Sequence, residues 1–121
     1  FFSRVLVGVT FLQVLMGTQV RQQVDHLTRD TNQYAYENVI EGLGLMFYAH
    51  RSFSLVIVGL FLYLLVYFHR TRFNRGAFFT TLFAFFCVLG NVGTGIALNY
   101  FGFPANAQPP HLFLAVMSLG L

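Results

Sequence analysis

Charged residues and several residue types are scarce in this chain of 121 residues. Only 9% of the residues are charged, and lysine and tryptophan are absent, whereas 56% are hydrophobic and 16 are phenylalanine. An ordinary soluble domain has about a quarter of its residues charged. A soluble core of this size is too small to bury so much apolar surface, so the composition predicts an integral membrane protein surrounded by lipid. We expect no nucleic-acid partner.

Two further absences concern the ends of the chain and its cysteines. The chain begins without methionine, and its last apolar segment stops after about ten residues, where a spanning helix needs about 20. We therefore expect a piece of a longer protein. Its single cysteine, Cys87, falls within an apolar segment, which argues against a disulfide framework and a cysteine-based metal site. Cys87 is predicted to be a small buried apolar residue.

Four apolar segments are present, and none alternates with a period of two. Helices are therefore favoured over a membrane β-barrel. The sequence predicts an all-α transmembrane four-helix bundle in which the fourth helix is truncated. The predicted spans are about 1–20, 43–68, 77–103 and 110–121, and an outer loop is predicted over 21–42, with a short interfacial helix within 28–43.

Charges on the connections predict how the bundle is oriented. Arg70, Arg72 and Arg75 lie between the second and third spans without any acidic residue, and Arg4 precedes the first span. Short connections rich in arginine lie on the cytoplasmic side of a membrane. The connection over 21–42 carries four acidic residues, and the one between the third and fourth spans carries no charge. Both are therefore predicted to lie on the outer side.

Two of the four histidines begin apolar spans at the same predicted depth. His50 opens the second span and His111 opens the fourth, whereas His26 falls in the outer loop and His69 at the cytoplasmic end. Ionisable residues within membrane spans usually serve a function. Two imidazoles facing each other across a bundle suit haem iron, whereas zinc would need a third ligand. A purely structural pair of histidines and an ion or proton pathway remain alternatives.

Two arginines and a glycine-rich stretch add candidate contacts. Arg21 ends the first span, and Arg51 directly follows the histidine of the second span. Guanidinium groups bind carboxylates such as haem propionates, although both arginines also suit anchoring at the membrane interface. The glycines of the third span are predicted to allow close approach of another helix or of a flat ligand; these are Gly90, Gly93 and Gly95.

Three stretches together resemble haem A synthase, and specifically the C-terminal half of that eight-helix family. They are "QVLMGTQVRQQVD", "HRSFSLVIVGL" and "VLGNVGTGIALNYFGFPANAQPPHLFLA", and the resemblance covers nearly the whole chain. The resemblance implies two pseudosymmetric four-helix bundles, each with a histidine pair. One bundle holds a haem b cofactor and the other holds the substrate, haem O, whose C8 methyl group is oxidised to the formyl group of haem A for cytochrome oxidase.

The resemblance also implies roles for residues of this chain. His50 and His111 match the axial ligands of the cofactor bundle, with Arg21 and Arg51 near the propionates. The substrate bundle of the family carries a glutamate three residues before its first histidine, where this chain has Phe47. This half is therefore expected to bind haem b for electron transfer and to lack the catalytic acid. Some members also carry a cysteine pair in the outer loop, which this chain lacks.

The implied setting is a multi-pass protein of the bacterial cytoplasmic membrane, with both histidines toward the outer side. Implied partners are the N-terminal half of the same protein, haem O synthase (a farnesyltransferase) and further copies of the protein. The alternatives are a four-helix membrane cytochrome b that only transfers electrons, and a half-length protein that dimerises to give eight helices.

Overall fold

The computed structural model describes residues 1–30, 44–100 and 108–120, with side chains for all of these except 27–30. This part of the chain is helical throughout its regular structure and contains no strand. The predicted all-α fold is thereby confirmed. The helices are α1 (Phe2–Asp30), α2 (Leu45–Thr71), α3 (Arg75–Tyr100) and α4 (Gln108–Gly120).

Three of the helices are long and apolar enough to cross a membrane. They comprise Phe2–His26 of α1, all of α2 and all of α3, and at most 22% of the residues in their most apolar stretches are buried. Large side chains such as Leu55, Phe79 and Phe113 instead point outward and are more than half exposed. So extensive an apolar exterior is stable in contact with lipid. The chain is a multi-pass membrane protein.

The helices pack in a ring around a common interior. Helix α1 contacts α2, α2 contacts α3, α3 contacts α4, and α4 returns to contact α1. Helices α2 and α4 therefore lie at opposite corners of the bundle. Two apolar clusters fill the interior at different depths. The lower core cluster is Leu6, Ile57, Phe61, Leu64, Ala84 and Val88, and the upper core cluster is Val20, Val24 and Phe47.

The reversal between α2 and α3 is tight and local. Arg72 ends α2 in the left-handed conformation, with φ 49° and ψ 32°. The Asn74 side chain then accepts a hydrogen bond from the Gly76 N–H at 2.7 Å, which satisfies one of the free donors at the start of α3. Only residues 72–74 separate the two helices, so the arginines around this turn are held together at the lower end of the bundle.

The predicted boundary of the outer loop is wrong at its beginning. Residues 21–30 were expected in the loop but continue helix α1 as far as Asp30. Neither glycine nor proline interrupts the sequence after Gly17 until Gly42. Val20 and Val24, one turn apart, are buried against Phe47, and this packing extends the helix above the apolar span. The rest of the predicted loop lies outside the described residues.

The fourth helix begins slightly earlier than predicted. It starts at Gln108 rather than near residue 110, and Pro109 and Pro110 occupy its first turn. Proline is tolerated there because the first N–H groups of a helix have no partner within the helix. His111 therefore lies in the first turn of α4. The predicted end of the third span, beyond Tyr100, falls outside the described residues.

Candidate functional site

The interior between the two core clusters contains a cavity of about 300 Å³. Every helix contributes to its wall, and residues of the upper and lower core clusters bound it at its two ends. Small-molecule sites in proteins are concave and mostly apolar, with few polar groups. This cavity has those properties, and both histidines of the predicted pair line it.

The imidazole rings of His50 and His111 meet across the cavity. Their ring centres are 6.5 Å apart, and the ring planes are inclined at 74°. Because α2 and α4 occupy opposite corners of the bundle, these side chains approach each other through its centre. The structure thus brings together the two histidines that the sequence places at equal depth.

Each histidine ring lies against a glycine of the adjacent helix. A Cβ atom at Gly17 of α1 would lie 3.0 Å from His50 Cε1, and one at Gly95 of α3 would lie 3.2 Å from His111 Cε1. Both distances are shorter than ordinary contacts between carbon atoms, which are about 3.5–4.0 Å. Glycine at these two positions provides the space that the rings occupy.

The predicted glycines of the third span occupy different surroundings. Gly95 lines the cavity, whereas Gly90 faces Leu114, whose Cδ1 would lie 3.2 Å from an added Cβ. Gly90 therefore permits close packing of α3 against α4. Gly93 has open space around it and is exposed.

Hydrogen bonds define the tautomer of His111. Its Nδ1 lies 3.0 Å from the backbone carbonyl oxygen of Asn91 and 3.0 Å from Oγ1 of Thr94. Because a carbonyl oxygen can only accept a hydrogen bond, Nδ1 carries the proton and donates it. The other ring nitrogen, Nε2, then retains its lone pair. A histidine held in this way is prepared to bind a metal through Nε2.

The surroundings of His50 differ. The ring lies beside the backbone of Gln13, but its buried Nδ1 makes no hydrogen bond with any residue that the structure describes. Gln13 instead contacts the backbone of the histidine, because its side-chain Nε2 donates to the His50 carbonyl oxygen at 2.9 Å. This bond fixes α1 against α2 at the level of the ring.

Other polar atoms of the cavity wall also lack partners within the described part of the chain. They are Thr10 Oγ1, Gln13 Oε1 and Asn91 Oδ1, all buried. Buried polar atoms are nearly always hydrogen-bonded in folded proteins, so these atoms indicate a site for solvent or for a polar part of a ligand. These residues are not among those predicted from the sequence, although a polar residue within an apolar span is itself a signal.

The family model COX15-CtaA, described as cytochrome oxidase assembly protein, matches residues 1–121. The chain belongs to this family. Its recognition as a relative of haem A synthase is confirmed at that level, and the family implies a part in cytochrome oxidase assembly. No curated protein and no solved structure matches the chain.

The upper end of the cavity in this member of the COX15-CtaA family is polar. Arg21 and Arg51 both line it and are exposed, so their guanidinium groups lie at the entrance. Asp25, one turn after Arg21, lines the same cavity. The entrance can therefore bind the carboxylates of a ligand whose apolar body lies deeper.

The remaining residues singled out from the sequence lie apart from the histidine pair. Phe47 belongs to the upper core cluster and covers the cavity with an apolar ring. His26 is exposed, and His69 is exposed near the lower end of the bundle with its ring 6.1 Å from Phe78. Cys87 is a buried free thiol, as predicted.

The donor set of the cavity suits a metal that brings ligands of its own. Within residues 1–30, 44–100 and 108–120, no group of three or more histidine, cysteine, aspartate or glutamate side chains could hold a metal ion. Two opposed imidazoles leave the equatorial positions of a metal between them unfilled. In this family member, the arrangement fits a metal already held in a macrocycle better than a bare ion.

Proposed function

We propose that this chain is part of a haem A synthase and that its bundle binds a haem b cofactor through His50 and His111. The observation that carries this proposal is the pair of imidazoles facing each other across the cavity, with ring centres 6.5 Å apart. A metal bonds an imidazole nitrogen at about 2 Å. The two imidazoles are thus close enough for one metal to be held between them.

The chain's own residues would bind and orient the cofactor in three ways. His111 presents an unprotonated Nε2, because its Nδ1 donates to Asn91. Arg21 and Arg51 are available for the propionate carboxylates at the entrance. The upper core cluster, including Phe47, would keep water away from the haem. Haem held by these two histidines would supply one-electron transfer.

Electron transfer is therefore the role that we assign to this half of the enzyme. The position of the family's catalytic glutamate is occupied by Phe47, which is buried among apolar residues. We propose that oxidation of the C8 methyl group of haem O takes place in the N-terminal half of the same protein. This chain would carry electrons between that half and an acceptor.

The proposal includes a location and partners. The arginines at the lower end of the bundle support a cytoplasmic position for that end, and hence an outer position for His50 and His111. We propose the bacterial cytoplasmic membrane as the location. The proposed partners are the N-terminal bundle, haem O synthase as the supplier of haem O, and further copies of the protein.

Substitution of each histidine tests the ligand assignment. In the full natural protein purified in detergent, His50→Ala and His111→Ala should each remove the same low-spin haem from the reduced-minus-oxidised spectrum. The double variant should lose no more haem per chain than the more severe single variant. His69→Ala provides the control, because His69 is exposed near the lower end of the bundle. A full low-spin haem b signal in both single variants would refute the assignment.

A second candidate is a membrane cytochrome b that transfers electrons without oxidising a haem substrate. The apolar Phe47 that covers the cavity favours it, because this position offers no acid. The sequence upstream distinguishes the two. A preceding four-span repeat with a glutamate three residues before its first histidine would support the synthase. A start codon just before Phe1 would instead favour a half-length protein that dimerises to give eight helices.

A further inference from the structure

Thr94 of helix α3 has a hydroxyl group that takes part in two contacts at once. Its Oγ1 donates to the Asn91 carbonyl oxygen at 2.9 Å and lies 3.0 Å from His111 Nδ1. A hydroxyl has one proton and two lone pairs. Because its proton is directed to the carbonyl, the Thr94 oxygen accepts a hydrogen bond from His111 Nδ1–H. The imidazole proton is therefore shared between two acceptors on the same helix.

The helices beside the two histidines carry corresponding residues, but only His111 Nδ1 has hydrogen-bond acceptors within the described part of the chain. On α3, Gly95 follows Asn91 by four residues, and on α1, Gly17 follows Gln13 by the same interval. In both cases the glycine lies against a histidine ring of the neighbouring helix. The position three residues after the amide is Thr94 on α3, but Met16 on α1. Met16 has no hydroxyl, so no group equivalent to that of Thr94 is available from this position.

Resting on the proposed haem site, we propose that Thr94 is a positioning residue that makes His111 the firmly held axial ligand and His50 the more readily displaced one. Thr94 does not contact the metal in this proposal. It acts through His111, whose ring it fixes in rotation and in tautomer together with the Asn91 carbonyl group.

Two consequences follow from general metal chemistry. Hydrogen-bond acceptors on the far nitrogen of a histidine ligand raise its basicity, and loss of such a partner commonly weakens metal binding by about 10-fold or more. A more basic ligand also stabilises the oxidised metal. Removal of the Thr94 hydroxyl should therefore weaken binding through His111 and raise the midpoint potential of the haem.

The variant Thr94→Val tests this directly, because valine replaces the hydroxyl by a methyl group of similar size. Thr71→Val is the matched control, since Thr71 also bonds a backbone carbonyl of its own helix, that of Tyr67 at 2.8 Å, at the end of α2. Both variants would be made in the full natural protein. The measurements are haem per chain, the midpoint potential and the midpoint of thermal unfolding in detergent.

We expect Thr94→Val to weaken retention of the histidine-dependent haem about 10-fold and to raise its potential, while Thr71→Val changes neither. Thr94→Ser keeps the hydroxyl and should restore both values, so a folding defect in the valine variant can be recognised. The effect on haem retention should persist in a His50→Ala background and vanish in a His111→Ala background. Of the two histidine variants, His50→Ala should retain more haem.

Other outcomes separate this inference from the proposed function. If both histidine variants lose haem but Thr94→Val behaves like Thr71→Val, the role of Thr94 is refuted and the haem site stands. An equal loss in the His111→Ala background would mean that Thr94 acts only on the general packing of the bundle, which also refutes the role. If neither histidine variant loses haem, the proposed function and the inference both fail.

Discussion

The space beneath the His50 ring can be tested with a single methyl group. In Gly17→Ala the added Cβ would lie 3.0 Å from Cε1 of His50 and 3.6 Å from each ring nitrogen. Carbon atoms in contact prefer about 3.5–4.0 Å, so the ring or helix α1 has to move by about half an ångström. The ring is confined by the surrounding wall, and the Gln13 side chain holds the backbone of this turn of α2. The ring should therefore tilt away from its present direction.

The expected magnitude combines two opposing effects. Alanine is favoured over glycine within a helix by about 1 kcal/mol. An added methyl group in a packed interior costs about 1–3 kcal/mol. Gly8→Ala isolates the first effect, because Gly8 lies on the same helix with nothing within 4 Å of an added Cβ. The free energy of unfolding of Gly17→Ala should therefore lie about 1–3 kcal/mol below that of Gly8→Ala.

The assay compares the two alanine variants of the full natural protein in the same detergent. Thermal unfolding reports their stability, and the reduced-minus-oxidised spectrum reports the histidine-dependent haem. We expect Gly17→Ala to lose low-spin haem and Gly8→Ala to retain it. If the two variants are equally stable and bind haem equally, the ring of His50 does not rest on Gly17 and the reasoning is refuted.

Two further predictions concern other residues that line the same cavity. Gly95→Ala should displace the ring of His111, whose Cε1 would lie 3.2 Å from the new Cβ, whereas Gly93→Ala meets nothing within 4 Å; equal haem content in the two variants would contradict this. Gln13→Leu removes the 2.9 Å bond to the His50 carbonyl oxygen, and hydrogen bonds between membrane helices contribute about 0.6 kcal/mol on average. Its midpoint of thermal unfolding should fall slightly, and an unchanged midpoint would show that the bond does not stabilise the α1–α2 pair.

The pairing of the histidines could be predicted from sequence because it depends on depth in the membrane. Charges on the connections assign each span a direction, and two helices of the same direction that begin with histidine place those residues at the same level. The level of a side chain follows from its position along the chain. The position along the chain does not show which helices are neighbours and which lie at opposite corners of the bundle. The approach of His50 to His111 is therefore seen only in the structure.

The supporting residues were harder to predict because their role depends on the face that each helix turns inward. Gln13 and Thr94 fall within stretches that resemble the family, but the sequence does not show which group each of them faces. The same is true of Gly17. Its partner, the ring of His50, lies on another helix 33 positions away in the chain. The extension of α1 to Asp30 was not predicted for a related reason, since its polar sequence conceals Val24, which packs on Phe47 together with Val20.

The two sides of the cavity resemble each other, and this similarity bears on the shape of the ligand that the cavity suits. On each side an amide residue, a glycine four positions later and a histidine from the next helix occupy corresponding places. Two such sides present one imidazole each to the same space, which suits a flat ligand coordinated on both faces better than a small ion that needs ligands in three dimensions. The hydroxyl of Thr94 breaks this symmetry on one side only. If the proposed haem site is correct, two unequal histidines would bind the cofactor, and the difference between them would come from residues of the protein.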